Sequence, residues 1–309
     1  MSPRIAVLVP CRNEALTIHR VITDFKTSLP GATIYVYDNG SQDETATIAR
    51  AAGALVRREE APGKGGVVRR MFAEVEADVY MIVDGDATYD ASRAPELVAM
   101  LVDNELDMVT AVREHDDSGV YRPGHETGNR AFNRIAGMLF GVRPGDMLSG
   151  YRALSRRFVK SFPAQSQRFE VETEMTVHAL ELNVPRGELA TRYTARREGS
   201  SSKLHTWRDG LRITRLLLRL FRDVKPFVFF ALIAAVLGVA GLALGGSVFV
   251  EFLRTRQVPR LPTAVLATGL MLLASLSFAC GLILDSVARG RLEAKRLAYL
   301  SLGGARNSR

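Results

Sequence analysis

Val79-Tyr-Met-Ile-Val-Asp-Gly-Asp-Ala-Thr-Tyr89 is the stretch on which the reading of this chain turns. Val79, Met81, Ile82 and Val83 make an apolar run of buried-strand length. The run delivers Asp84 and Asp86 around Gly85, whose missing Cβ permits a tight turn. Two hard oxygen donors so spaced suit Mg2+ or Mn2+, ions that keep coordination positions open for phosphate oxygens. The same carboxylates could instead cap backbone N–H groups within a local turn. The flanking sequence has to separate these readings.

Upstream, strand-like and helix-like patterns alternate. Strands are predicted over 4–9, 33–37, 55–57 and 79–83, and helices over 15–29, 43–52 and 65–76. This alternation predicts an α/β fold with a mostly parallel sheet and helices on both faces. In such sheets ligands bind beyond the carboxyl ends of the strands. Three strand-end loops carry polar residues there: Pro10-Cys-Arg-Asn-Glu14, Asp38-Asn-Gly-Ser-Gln-Asp-Glu-Thr45 and Asp84-Gly-Asp86. Asn13 could simply start the first helix, and Ser41 or Asp43 could cap the second. Asp38 is not needed as a cap, and a carboxylate there could accept hydrogen bonds from a base or a ribose hydroxyl. Pro62-Gly-Lys-Gly-Gly66 lacks P-loop spacing, yet Lys64 at a helix N-terminus could meet a phosphate.

Downstream, a strand is predicted over 107–112, followed by a loop with Arg113, Arg122 and His125 and a helix over 128–140. Asp146-Met-Leu-Ser-Gly-Tyr-Arg152 precedes a helix over 156–162. An amphipathic helix over 169–180 places Glu170 and Glu174 four residues apart, a repulsive pair unless cations or polar groups face it. A last strand is predicted over 188–194.

The 309 residues are 47% hydrophobic with a net charge of +8, which would suit a nucleic acid, an anionic membrane or a phosphorylated substrate. Two cysteines far apart argue against a disulfide framework, and the histidine spacing gives no zinc pattern. The sequence starts directly into a strand, so no secretory signal is expected. Two uncharged runs, 226–250 and 261–284, each exceed the roughly 20 apolar residues that span a bilayer. They read as a transmembrane hairpin joined by a short non-cytoplasmic loop at 251–260. A buried core hairpin is the alternative, although core helices seldom lack charge on every face. Arg208, Arg212, Arg215, Arg219 and Arg222 form one stripe of a helix over 206–225 suited to a membrane interface. The basic stretch 285–309 lies on the other flank, so residues 1–205 and 285–309 are expected in the cytoplasm. Membrane explains the positive charge more economically than nucleic acid, for which no recognition module is visible.

Taken together, these motifs and Arg197-Glu-Gly-Ser-Ser-Ser-Lys203 resemble the family-2 glycosyltransferases. The two-span anchor points to their polyprenol-phosphate branch, which includes dolichyl-phosphate mannose synthases and undecaprenyl-phosphate glycosyltransferases. The resemblance covers about residues 4–205 and implies a Rossmann-like GT-A domain followed by the interface helix and hairpin. It implies that Pro10, Asn13, Glu14 and Asp38 line a nucleoside pocket. Asp84 and Asp86 would hold Mg2+ or Mn2+ on the donor diphosphate, with Lys64 and Ser149 among the substrate-binding residues. Arg113 and Arg122 would meet donor and acceptor phosphates, with Arg130 competing for the latter role, and Arg197 and Lys203 would belong to a loop over the diphosphate. Asp146 could be a base or could orient an arginine. Mannose synthases commonly have Gln where this chain has Thr88.

The implied activity is inverting transfer from a nucleotide sugar, UDP-linked in preference to GDP-mannose, to a polyprenyl phosphate. Such an acceptor is mostly dianionic at pH 7, so it needs positioning more than deprotonation. The rivals are a glycosyltransferase acting on a hydroxyl acceptor and a non-catalytic nucleotide-sugar-binding membrane scaffold. Hairpin anchors could also pack copies of the chain into a homo-oligomer.

Overall fold

The computed structural model describes residues 3–114, 137, 145–164, 171–194, 218–219 and 221–303. Its strands are β1 (Ile5–Cys11), β2 (Thr33–Asp38), β3 (Leu55–Arg58), β4 (Val79–Ile82), β5 (Met108–Glu114), β6 (Arg152–Ser155) and β7 (Arg186–Arg192). They form a seven-stranded sheet in the order β3-β2-β1-β4-β6-β5-β7. β6 is antiparallel to both neighbours, and the remaining pairs are parallel. The expected mostly parallel α/β architecture is therefore what the chain adopts.

Alternation along β1 sets the two layers. Val7, Val9 and Cys11 pack into a core with α1 (Ile18–Ser28) and α4 (Ala94–Asp103). Ala6 and Leu8 face the other core, shared with α3 (Lys64–Glu74), α5 (Arg156–Ser161) and α6 (Val171–Leu182). In α1 the buried residues Ile18, Val21, Ile22 and Phe25 recur at three- and four-residue steps, the stripe that makes a helix dock on a sheet. Each such side chain contributes roughly 1.5–3 kcal/mol when fully buried.

Strand order explains where a site can form. From β1 the chain moves outward to β2 and β3, then returns to place β4 on the opposite side of β1. Loops leaving β1 and β4 consequently diverge and leave a crevice between them, the switch point at which open α/β sheets bind ligands.

Several local expectations differ from the structure. A 3-10 turn, Ala91–Arg93, and α4 fill a stretch with no element predicted, and β6 was not anticipated. α2 (Thr45–Ala51) and α1 have Glu44 and Thr17 as N-caps, so Asn13, Ser41 and Asp43 are not the caps. They tie the first two loops together instead.

The chain divides into two compact units, Met1–His205 with Lys295–Arg309, and Thr206–Ala294. The second unit contains α7 (Pro226–Thr255) and the greater part of α8 (Leu261–Ser301), two helices long and apolar enough to be candidate membrane spans. Small residues let them approach: a Cβ on Gly241 would lie 3.1 Å from Met271, and one on Gly281 would lie 3.0 Å from Phe230. An Arg260–Glu251 ion pair at 2.8 Å closes the turn. The basic stretch after 284 continues helical to Ser301. In the first unit, Lys295 pairs with Glu181 at 2.6 Å and Tyr299 donates to the buried Asp107. Arg157 also grips Asp107, at 2.6 and 2.7 Å, and stacks over the Tyr299 ring. Most of the predicted interface helix, 206–217 and 220, lies outside the described residues.

Candidate active site

At the head of the crevice, β1 and β4 end side by side, with Leu8 opposite Ile82. Gly85 is required there, because a Cβ would lie 2.6 Å from Cys11 Sγ. Thr17 donates its hydroxyl to the Gly85 carbonyl at 2.7 Å, fixing the turn to the start of α1. Asp84 is held on two sides: Lys64 pairs with Oδ1, while Oδ2 lies so close to Gly150 that any Cβ there would collide with it. Asp86 is buried, and its Oδ1 accepts from the Thr88 hydroxyl at 2.6 Å and the Thr88 N–H at 3.2 Å. Thr88 thus occupies the position that departs from the mannose-synthase pattern and acts by orienting Asp86.

The β1 and β2 loops interlock beside this turn. Asn13, in the left-handed region at φ 55°, accepts the Gln42 N–H at 2.8 Å, and the Ser41 hydroxyl accepts the Asn13 N–H at 2.9 Å. Thr45 accepts the Glu14 N–H at 2.8 Å and Asp43 accepts that of Ala15 at 3.2 Å. Pro10, paired with Tyr37, and Asp38 close the two strand ends. Asp38 is buried and accepts the Ser41 N–H at 3.2 and 3.3 Å, which leaves carboxylate lone pairs for a ligand. Asn39 donates to the Glu59 and Ala61 carbonyls and accepts the Gly63 N–H at 2.8 Å, so the loop delivering Lys64 is stapled to β2.

Lys64 brings in a residue that sequence reasoning missed. Its ammonium pairs with Glu172, in the first turn of α6, as well as with Asp84. Burial alone would lower the Lys64 pKa, but the two carboxylates outweigh it and hold it above the ordinary lysine value. The spacing of Glu170 and Glu174 in the sequence drew attention to those two, whereas the buried carboxylate is Glu172; Glu170 lies outside the described residues.

Across the sheet, Arg113 near the end of β5 donates to both Asp146 oxygens, at 2.6 and 2.9 Å, and stacks over Tyr193 at 5.3 Å. Burial works against the Arg113 charge, yet Asp146 with Tyr89 and Tyr193 raises its pKa further. With both oxygens on one guanidinium, Asp146 orients Arg113. Ser149 is fully buried and donates to the Ala111 carbonyl at 2.6 Å, joining its loop to β5. Arg152 is fully buried as well and holds the Met147 and Ser149 carbonyls and the Thr176 hydroxyl. Arg122, Arg130, Arg197 and Lys203 lie outside the described residues.

Chemically, the described site is a carboxylate pair beside fixed cations. No cluster of three or more His, Cys, Asp or Glu side chains that could hold a metal occurs among the described residues. Two carboxylates such as Asp84 and Asp86 could hold a divalent ion only with further ligands from elsewhere, such as phosphate oxygens. An anionic diphosphate beside two carboxylates would be repelled without such an ion.

The chain is similar to several known proteins. The profile described as Glycosyl transferase family 2 matches residues 6–162. Glycosyltransferase AglJ of Haloferax volcanii is 33% identical over 246 residues, covering 78% of this chain and 79% of its own. A dolichyl-phosphate hexose transferase of the same organism is 30% identical over 155 residues, covering 50% of this chain and 68% of its own. The crystal structure of glucosyl-3-phosphoglycerate synthase from Mycobacterium tuberculosis with Mn2+, UDP and glucosyl-3-phosphoglycerate aligns with a TM-score of 0.56 and 23% identity. That alignment covers 71% of this chain and 79% of the synthase, and the shared fold is GT-A.

Proposed function

Because the chain belongs to glycosyl transferase family 2, we propose that it transfers a sugar from a nucleotide-sugar donor to a polyprenyl phosphate at the cytoplasmic face of a membrane. The observation that carries the lipid acceptor is the pair of candidate spans, whose most apolar windows are only 6% and 17% buried. Surfaces so apolar and so open suit lipid as their surroundings, and a family-2 domain on such helices meets an acceptor that also resides in the bilayer. The activity carried in the name of the dolichyl-phosphate hexose transferase supports the same acceptor class.

Pro10, Asn13, Glu14 and Asp38 line the nucleoside pocket, with a UDP donor favoured and GDP-mannose the alternative. Asp84 and Asp86 would hold Mg2+ or Mn2+; the M. tuberculosis synthase was crystallised with Mn2+ and UDP. When bound, the ion neutralises charge on the departing diphosphate. Lys64 adds a cation for the donor phosphates, and Arg113, locked by Asp146, presents a preorganised cation to the acceptor or donor phosphate. Arg122, Arg197 and Lys203 are further phosphate contacts in this reading.

An acceptor phosphate oxygen attacks the anomeric carbon in line as its bond to the nucleoside diphosphate breaks, with inversion. The acceptor is already anionic, so no general base is needed. This agrees with the engagement of both Asp146 oxygens by Arg113.

The test is incubation of purified chain with UDP- and GDP-sugars, Mn2+ and undecaprenyl or dolichyl phosphate, reading product mass. The expected product is an acid-labile polyprenyl-phosphate sugar, lost in Asp86→Ala. An acid-stable product formed solely on hydroxyl acceptors would overturn the lipid-phosphate assignment.

A further inference from the structure

Lys64 is almost buried, its side chain 9% exposed, and it bridges Asp84 and Glu172. Asp84 has Oδ1 on the ammonium and Oδ2 against the Gly150 backbone. Glu172 gives Oε1 to Lys64, and its Oε2 is buried with no hydrogen-bond partner among the described residues. The staple from Asn39 to Gly63 fixes the backbone just before the lysine. A divalent ion that takes Asp84 Oδ1 therefore competes with an ammonium already there.

We propose that Lys64 is a resident competitor for Asp84 and Glu172 is the carboxylate that retains it, so that a divalent ion binds well only together with a nucleoside diphosphate. The inference rests on Asp84 and Asp86 being the metal–diphosphate residues. An ion arriving alone must break a poorly solvated ion pair and gains two protein carboxylates for it. A diphosphate arriving with the ion changes the balance, because its oxygens complete the coordination sphere and also give Lys64 a new counter-charge. Glu172 keeps the ammonium partnered throughout, which lowers the cost of its leaving Asp84. Ion and nucleotide are then positively coupled, and each raises the other's affinity by the same factor.

The full chain in detergent is titrated by calorimetry with Mn2+ alone, and with Mn2+ in the presence of UDP or GDP. For the wild type, nucleotide should tighten Mn2+ binding about tenfold or more, the usual scale of such coupling. Lys64→Met should bind Mn2+ alone about tenfold tighter than wild type, with the nucleotide enhancement falling below about threefold. Glu172→Gln leaves the lysine with Asp84 as its sole carboxylate among the described residues and should weaken Mn2+ alone by about threefold or more. These opposite shifts exclude misfolding, which would weaken both, and thermal melts check it directly. Unchanged or weaker Mn2+ binding in Lys64→Met, with binding still abolished by Asp86→Asn, overturns the competition and leaves the metal assignment intact. Binding that survives both Asp84→Asn and Asp86→Asn overturns the metal assignment as well.

Discussion

Thr88 shows how one hydroxyl orients a carboxylate of the candidate site. Between it and Asp86 lies Ala87 at φ 56°, a left-handed conformation that costs a non-glycine residue about 1 kcal/mol or more. The strained turn is held because the Thr88 carbonyl accepts the Thr194 N–H at 2.9 Å and the Thr194 hydroxyl at 3.3 Å. Thr88→Val keeps the shape and removes the 2.6 Å bond to Asp86. Groups that orient ligating carboxylates typically matter by about 10- to 100-fold, so Mn2+-dependent turnover should fall by about that factor, with Thr88→Ser restoring most of it. Turnover against Mn2+ concentration, with melting temperatures alongside, checks the expectation. Asp38, Asp84 and Asp86 were legible in the sequence because each follows an apolar strand. Glu172 was not, because its partner Lys64 is remote in the chain and no local period marks a carboxylate that will be buried.

At the level of elements, the first four strands and three helices were legible because their apolar spacing is regular. β6 was hidden: it is short, opens on the buried Arg152 and runs against its neighbours. α6 was read as amphipathic, yet it packs on most sides, with His178 buried among Phe158 and Phe162 of the α5 region. Burial lowers the His178 pKa from 6.5 to about 3, with a smaller contribution from Lys295, and Nδ1 has no hydrogen-bond partner among the described residues. The unfolded chain takes up this proton near pH 6.5 while the folded chain refuses it until about pH 3. The histidine's contribution to stability is thus intact above pH 6.5 and lost progressively as pH falls towards 3. Between pH 7 and pH 5 the loss should be about 2 kcal/mol. The difference in melting temperature between wild type and His178→Gln should shrink as pH falls from 7 to 5. A pH-independent difference would contradict this account.

For the whole molecule, the deciding question is how a charge of +8 coexists with two long apolar helices. Arg254, Arg256 and Arg260 make the α7–α8 turn basic, but Arg260 is paired with Glu251 and the stretch is short. The longer flanks, with five arginines between Arg208 and Arg222 in the sequence on one side and Arg289, Arg291, Lys295 and Arg296 on the other, outweigh it. Because excess Lys and Arg remain on the cytoplasmic side, the turn should cross and the sheet-bearing unit should not. Two exposed positions test this in a Cys280→Ser background, where the remaining Cys11 is buried. Gln257→Cys, in the turn, should react with a membrane-impermeant maleimide on intact cells. Val102→Cys, on the exposed face of α4, should react only after permeabilisation. The reverse pattern would invert the orientation and put the lipid phosphate on the wrong side for a cytoplasmic nucleotide sugar. Equal labelling of both without permeabilisation would mean that the helices do not span a bilayer.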